Sequence, residues 1–179
     1  MASRAFPPWF SWFLESRLRL RMLPPQRLAG SLPLAPDFTV VEVGSGTGVY
    51  ARSIRTRVAR FVGLELQWPL IRTARERDAS LVQAQGSALA LPLRAESVDL
   101  IYMVTVLGEL TDPSLALREM RTALKPGGFL AVAEQLPDPD YVSKTRVRLL
   151  CEEAGLAFVK VDGAWWSFIA TFQRPRSSG

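Results

Sequence analysis

Residues 38–48 read FTVVEVGSGTG, a β-branched run that ends on three alternating glycines. A short run that is apolar on both faces suits a strand buried inside a parallel sheet. Glycines directly after it let the backbone turn tightly and come closer to a ligand than a Cβ would allow. One glycine suffices for a plain strand-to-helix turn, so three behind Glu42 point to a ligand-binding turn. In open α/β sheets ligands sit at the carboxyl ends of the strands, where the strand order reverses.

The rest of the chain repeats this strand-and-helix unit. Strand-like runs at Arg60–Leu64, Ser80–Gln85, Val98–Val104 and Phe129–Glu134 alternate with helical patterns over Val49–Val58, Pro69–Asp78, Pro113–Leu124 and Ser143–Ala154. Lys125-Pro126-Gly127-Gly128 is expected to stop a helix and turn the chain. Two last strands, Ala157–Val161 and Trp166–Phe172, flank Asp162-Gly163, which suits a tight hairpin turn. The expected fold is α/β: a doubly wound, seven-stranded, mostly parallel sheet with an antiparallel C-terminal hairpin. A length of 179 residues accommodates one such domain. It is expected over residues 31–174, between an aromatic and basic segment at 1–30 and a frayed tail at 175–179.

Absent residue types remove whole classes of chemistry. The chain has no histidine, which excludes a serine–histidine triad, histidine-ligated zinc and a histidine base. Its single cysteine, Cys151, permits no intrachain disulfide and no cysteine metal cluster. Beside Val147 and Leu150 it reads as a small core residue, and no metal is expected. No apolar run reaches the roughly 18 residues of a membrane span. Pro7 and Pro8 open the first apolar patch, which is short and has no small-residue cleavage site after it, so no signal peptide is expected and the expected location is cytoplasmic. The net charge of +5 suits an anionic substrate, RNA or a membrane surface, and equally arginine-rich solvated helix faces.

Two cofactor classes compete for the glycine turn. A dinucleotide fold requires G-x-G-x-x-G, but here the third glycine is Gly48 and Val49 stands where the fingerprint needs glycine. Glu42 would repel a pyrophosphate and suits the cationic amino-acid end of S-adenosylmethionine. No Gly-Lys-Ser/Thr follows, so the loop is not a Walker A motif. Glu65, at the tip of the next strand, is placed to accept hydrogen bonds from a ribose diol.

Taken in order, VVEVGSGTGVYA, Gly63-Leu64-Glu65, Gly86-Ser87-Ala88 with Leu91-Pro92, Ser97-Val98-Asp99-Leu100 and Leu124-Lys125-Pro126-Gly127-Gly128 resemble the class I S-adenosylmethionine-dependent methyltransferases. Over residues 36–134 the chain looks most like the compact quinone-biosynthesis and arsenite methyltransferase group. The resemblance implies that Glu42, Gly44, Ser45, Gly46 and Gly48 surround the methionine part of the cofactor. It implies that Glu65 binds the ribose hydroxyls, that Leu66 lies against the adenine, and that Met103 and Val104 flank the methyl. Gly86, Ser87 and Ala88 correspond to a Gly-Asp-Ala segment, with Ser87 in place of the aspartate that receives the adenine amino group. Asp99 matches a position tied to the fold. Gly108 stands where relatives often carry histidine or an acidic residue, leaving Glu109 to face either substrate or solvent.

The expected reaction is transfer of a methyl group to a small or lipophilic acceptor, giving S-adenosylhomocysteine. The catalytic candidates are Glu109, Glu134 and Tyr141, the last two with Asp138 and Asp140 in the loop EQLPDPDY. Phe6, Trp9, Phe10, Trp12 and Phe13, with Arg17, Arg19 and Arg21, suit a lid, a peripheral membrane contact or a packed helix. The protein is expected as a monomer or homodimer without a nucleic-acid partner. Three readings stay open beside this one: a non-catalytic S-adenosylmethionine-binding scaffold, a methyltransferase acting on RNA or protein, and a nicotinamide dehydrogenase. Met103-Val104-Thr105-Val106, in place of an Asn-Pro-Pro-Tyr signature, argues against an RNA-base enzyme.

Overall fold

In the computed structural model, which describes residues 17–176, seven strands form one sheet. They are β1 (Thr39–Val43), β2 (Arg60–Glu65), β3 (Gln83–Gln85), β4 (Val98–Val104), β5 (Leu124–Gln135), β6 (Ala157–Ala164) and β7 (Ser167–Gln173). Their order is β3-β2-β1-β4-β5-β7-β6. The first five are parallel, and β7 runs antiparallel between β5 and β6. The order reverses between β1 and β4, which opens a crevice at their carboxyl ends.

The helices are α1 (Arg17–Met22), α2 (Pro25–Ser31), α3 (Ala51–Ile54), α4 (Trp68–Arg77), α5 (Pro113–Ala123) and α6 (Lys144–Glu153). Successive strand side chains point to opposite faces, and both faces of this sheet are covered. Val41, Val43, Ile101, Met103 and Val132 pack with Leu117 and Met120 of α5 and Val147 and Leu150 of α6. Val40, Leu100, Tyr102, Ala133 and Ile169 pack on the other face with Leu23, Leu28 of α2 and Ile54 of α3. Residues 23–29 thus contribute to the core. The aromatic residues at positions 6–13 lie outside the described residues.

Several elements depart from expectation. The helix expected at Val49–Val58 begins at Ala51 and tightens to a 3-10 turn at Arg55–Arg57. The Ser53 hydroxyl there donates to the Tyr50 carbonyl at 2.9 Å, and β-branched Thr56 and Val58 suit a helix poorly. The third strand starts at Gln83, because Asp78 accepts the Ser80 N–H at 3.0 Å and holds a turn before it. β5 begins at Leu124, directly after α5. Its register against β4 jumps from Val98↔Leu124 to Leu100↔Phe129, so the Lys-Pro-Gly-Gly segment is a bulge inside the strand. Gly127, at φ +82°, donates to the Arg174 carbonyl at 2.9 Å, and Arg174 N–H returns a bond to Gly128 at 2.8 Å.

The hairpin turn is also displaced. Asp162 and Gly163 pair with Ile169 and Phe168 inside the ladder, and the turn is Trp165-Trp166. Gly163 is glycine for another reason: at φ +106°, a Cβ there would collide with the Arg27 guanidinium and the Ser167 carbonyl. β6 forms one edge of the sheet. It has a register shift between Phe158 and Lys160, and Lys160 pairs with Asp162 at 2.8 Å. Asp99 holds the sheet together, accepting from the Thr39 N–H at 2.8 Å and from Lys125 Nζ at 2.8 and 2.9 Å. Cys151 is buried, and burial pushes its thiol far above the usual range. Among the described residues, no helix is long and apolar enough to cross a membrane.

Candidate functional site

The glycine turn follows β1 and is fastened to the next strand. The Gly44 and Ser45 N–H groups both donate to the Leu64 carbonyl, at 2.8 and 3.1 Å. Gly44, Gly46 and Gly48 all have positive φ, at +72°, +52° and +77°, a region that side chains other than glycine rarely adopt. Their surroundings differ. A Cβ on Gly44 would strike Val106, and one on Gly48 would strike Leu81. Among the described residues, a Cβ on Gly46 would meet no atom of a non-neighbouring residue within 4 Å and would project into open space. Gly46 therefore keeps clear a volume that the described residues leave unfilled.

That volume is a cleft at the carboxyl ends of β1, β2 and β4. Its walls include Gly44, Gly46, Glu65, Leu66, Gly86, Ser87, Ala88, Val104, Thr105, Val106, Glu109 and Leu110. Glu65 is only 6% exposed. Its Oε2 accepts the Gly46 N–H at 2.8 Å and its Oε1 accepts the Gln67 N–H at 2.9 Å. One carboxylate thus spans the glycine turn and the start of α4. Each of its oxygens can accept a further bond.

Past Glu65 the cleft changes character. Leu66 is partly exposed, and its carbonyl accepts from Gln85 Nε2 at 3.0 Å. Opposite, the Ser87 Oγ accepts the Leu89 N–H at 3.1 Å, so this serine shapes its own turn and retains a hydroxyl proton to donate. Gly86 is needed for packing, since a Cβ there would press on Leu64 and Pro92. At the far end Thr105 lies at φ +52°. Such backbone costs about 1–3 kcal/mol and concentrates at functional sites. The Thr105 N–H donates to the Ala133 carbonyl at 2.8 Å, which fixes this strained end of β4 to β5.

Four residues of the expected cofactor set stand behind the cleft wall. Ser45 is buried, with its side chain against Gly63. Gly48 faces Leu81. Met103 lies wholly in the core, while its neighbour Val104 lines the cleft. Glu42 shares its sheet face with Tyr102, its partner across β1 and β4, and is 2% exposed. Burial pushes its carboxyl up to about 8; the Tyr102 hydroxyl beside it pulls the value down, and the Glu65 charge pushes it up again.

Of the three catalytic candidates, Glu109 alone lines the cleft. It lies in the 3-10 turn Leu107–Glu109. Gly108 next to it touches the following loop, because a Cβ there would overlap the Asp140 carbonyl. Glu134 is buried at the end of β5, with its Oε2 3.5 Å from the Val142 N–H. The Tyr141 hydroxyl donates to the Trp165 carbonyl, and its ring packs edge-on against Phe168. The loop EQLPDPDY is thereby fastened to the hairpin. Three further polar residues at this edge of the sheet, Arg27, Gln135 and Ser167, gave no motif signal in the sequence.

The methyltransferase-domain family matches residues 41–132, about half of the chain, from β1 into β5. The chain belongs to the class I S-adenosylmethionine-dependent methyltransferases. Among curated proteins it is similar to the demethylmenaquinone methyltransferase of Corynebacterium urealyticum, with 33% identity over 109 residues, 61% of this chain and 46% of that protein. It is also similar to the malonyl-[acyl-carrier protein] O-methyltransferase of Serratia marcescens, with 29% identity over 138 residues, 77% of this chain and 50% of that protein. The chain thus spans about half the length of these curated relatives. Its fold matches a S-adenosylmethionine-dependent methyltransferase from Aquifex aeolicus at a TM-score of 0.85 and 23% identity, covering 95% of this chain and 100% of that one.

Proposed function

We propose that this protein transfers the methyl group of S-adenosylmethionine to a small organic acceptor by in-line displacement, in the cytoplasm. The observation that carries the reading is the pairing of Gly46 with Glu65: open space where a Cβ would stand, walled by a buried carboxylate. Those residues fit an S-adenosyl group. Glu65 would take the ribose hydroxyls, Leu66 and Ser87 the adenine, and the backbone of Gly44 and Gly46 the amino-acid end. Bound there, S-adenosylmethionine supplies a sulfonium-activated methyl group.

The protein's part is alignment and exclusion of water. Val104, Thr105 and Val106 close the cleft beyond the glycine turn, and the bond from Thr105 to Ala133 holds that wall in one position. An acceptor that must lose a proton needs a base within hydrogen-bond reach, and Glu109 is the carboxylate on that wall. Relatives named for demethylmenaquinone and for malonyl-[acyl-carrier protein] support an organic acceptor without selecting between them.

Calorimetric titration with S-adenosylmethionine, S-adenosylhomocysteine and NAD tests the reading. Both S-adenosyl compounds should bind and NAD should not. Glu65→Ala removes a charge-assisted acceptor and should weaken S-adenosylhomocysteine by about tenfold or more. Tight NAD binding without S-adenosyl binding would overturn the cofactor assignment, and unchanged affinity in Glu65→Ala would overturn the ribose assignment.

A further inference from the structure

Beyond the cleft wall, the carboxyl edge of the sheet continues across β5 and β7, and three polar side chains converge there. Gln135, the last residue of β5, is 1% exposed, and neither atom of its side-chain amide has a hydrogen-bond partner among the described residues. A buried amide left unpaired is costly, and the cost is removed when a ligand or water supplies the missing bonds. Gln135 shares its face with Ala133, which pairs with the cleft residue Val104, and stands two residues farther along the strand. Its own partner in the ladder is Ser167.

Arg27, on α2, also reaches Ser167. Its Nη1 donates to the Met22 carbonyl at 2.8 Å and lies 3.3 Å from Ser167 Oγ, and its Nη2 lies 3.4 Å from the Ser167 carbonyl. No carboxylate pairs with this half-buried guanidinium among the described residues. A Cβ on Gly163 would collide with it as placed. The fold therefore brings a cation without an anion to the strand end that carries an amide without a partner.

We propose that Arg27, Ser167 and Gln135 form the acceptor end of the site and bind the acid group of an organic-acid methyl acceptor. The inference rests on the methyltransferase reading above and names the class of acceptor. The guanidinium and the Gln135 Nε2 supply donors to a planar oxyanion, and the Gln135 Oε1 accepts from a neighbouring hydroxyl or a water. Arginine suits such a group because its fork of N–H donors matches two oxygens at once.

The test uses the full chain saturated with S-adenosylhomocysteine. Benzoate, salicylate and malonate are titrated in turn, each against its uncharged amide. At least one acid should bind while its amide does not. Gln135→Leu keeps much of the side-chain volume and removes the unpaired amide. This variant should fold, keep its affinity for S-adenosylhomocysteine, and lose the acid by about tenfold or more. Arg27→Lys keeps the charge without the fork and should lose affinity in the same direction. The inference is overturned if no acid binds better than its amide, or if Gln135→Leu binds the acid as tightly as the parent. Failure of S-adenosylhomocysteine itself to bind would instead remove the cofactor reading, and this inference with it.

Discussion

Glu42 is a carboxyl group placed where water hardly reaches it. Burial raises it from 4.5 to about 8, so near neutral pH it carries a proton. The unfolded chain releases that proton around 4.5 and the folded protein holds it until about 8. The native state thus binds more protons across this window, and stability falls as pH rises through it. Below the window both states are protonated and the effect vanishes. Glu42→Gln, which mimics the neutral acid, should match the parent melting temperature at the acidic end of the window and exceed it at the alkaline end. Melting curves across that range decide the matter; a shift of equal size at both ends would show that Glu42 does not titrate differently in the folded and unfolded states. The carboxylate behind the glycine turn was visible in the sequence, but its orientation was not. In a strand apolar on both faces, no alternation shows which way one polar residue points. Glu65 was easier to place, because a strand tip beside a glycine turn leaves few directions open. Arg27 and Gln135 belong to no motif; the register of β5 on β7 brings Gln135 to Ser167, and the packing of α2 brings Arg27 there.

Among the helices, α5 carries the plainest local signals. Asp112 caps it by accepting the Leu115 N–H at 2.8 Å, and Pro113 occupies the first turn, where no donor is needed. The two residues before the cap, Leu110 and Thr111, line the cleft. Asp112→Ala should cost about 1 kcal/mol in chemical denaturation and leave S-adenosylhomocysteine affinity intact, since the Asp112 carboxylate bonds Leu115, which does not line the cleft. A large loss of affinity would mean that the cap also positions the wall. Elements with strong local signals fell where expected: β4 at Val98–Val104, and α5 to within one residue. The hairpin did not, because Asp162-Gly163 has the composition of a turn while Gly163 answers to a side chain more than 130 residues away. Likewise the Lys-Pro-Gly-Gly segment has breaker composition, yet Arg174 near the end of the chain draws it into β5 as a bulge. Local pattern cannot register a demand made by a distant partner.

For the molecule as a whole, the sheet ends in β3, of three residues, and β6, of eight. A long exposed edge invites pairing with another chain, and natural edges are protected by charge and bulges. β6 has both: the register shift after Phe158 and the Lys160–Asp162 pair, among half-exposed Val159 and Val161. Lys160→Val would leave residues 158–161 wholly apolar. Because an exposed ion pair contributes about 0–1 kcal/mol, the melting temperature should hardly move, while light scattering on warming should rise well above the parent's. Unchanged scattering would assign the protection to the bulge alone.

The sheet order has a consequence for synthesis. β7 is the last of the seven described strands in sequence, yet it lies between β5 and β6. While a ribosome is still making residues 167–173, the apolar flank of β5 has no neighbour and β6 has nothing to pair with. The carboxyl half of the sheet can close only after Gln173 has left the exit tunnel. Until then the nascent protein presents an open strand to whatever chaperone attends it.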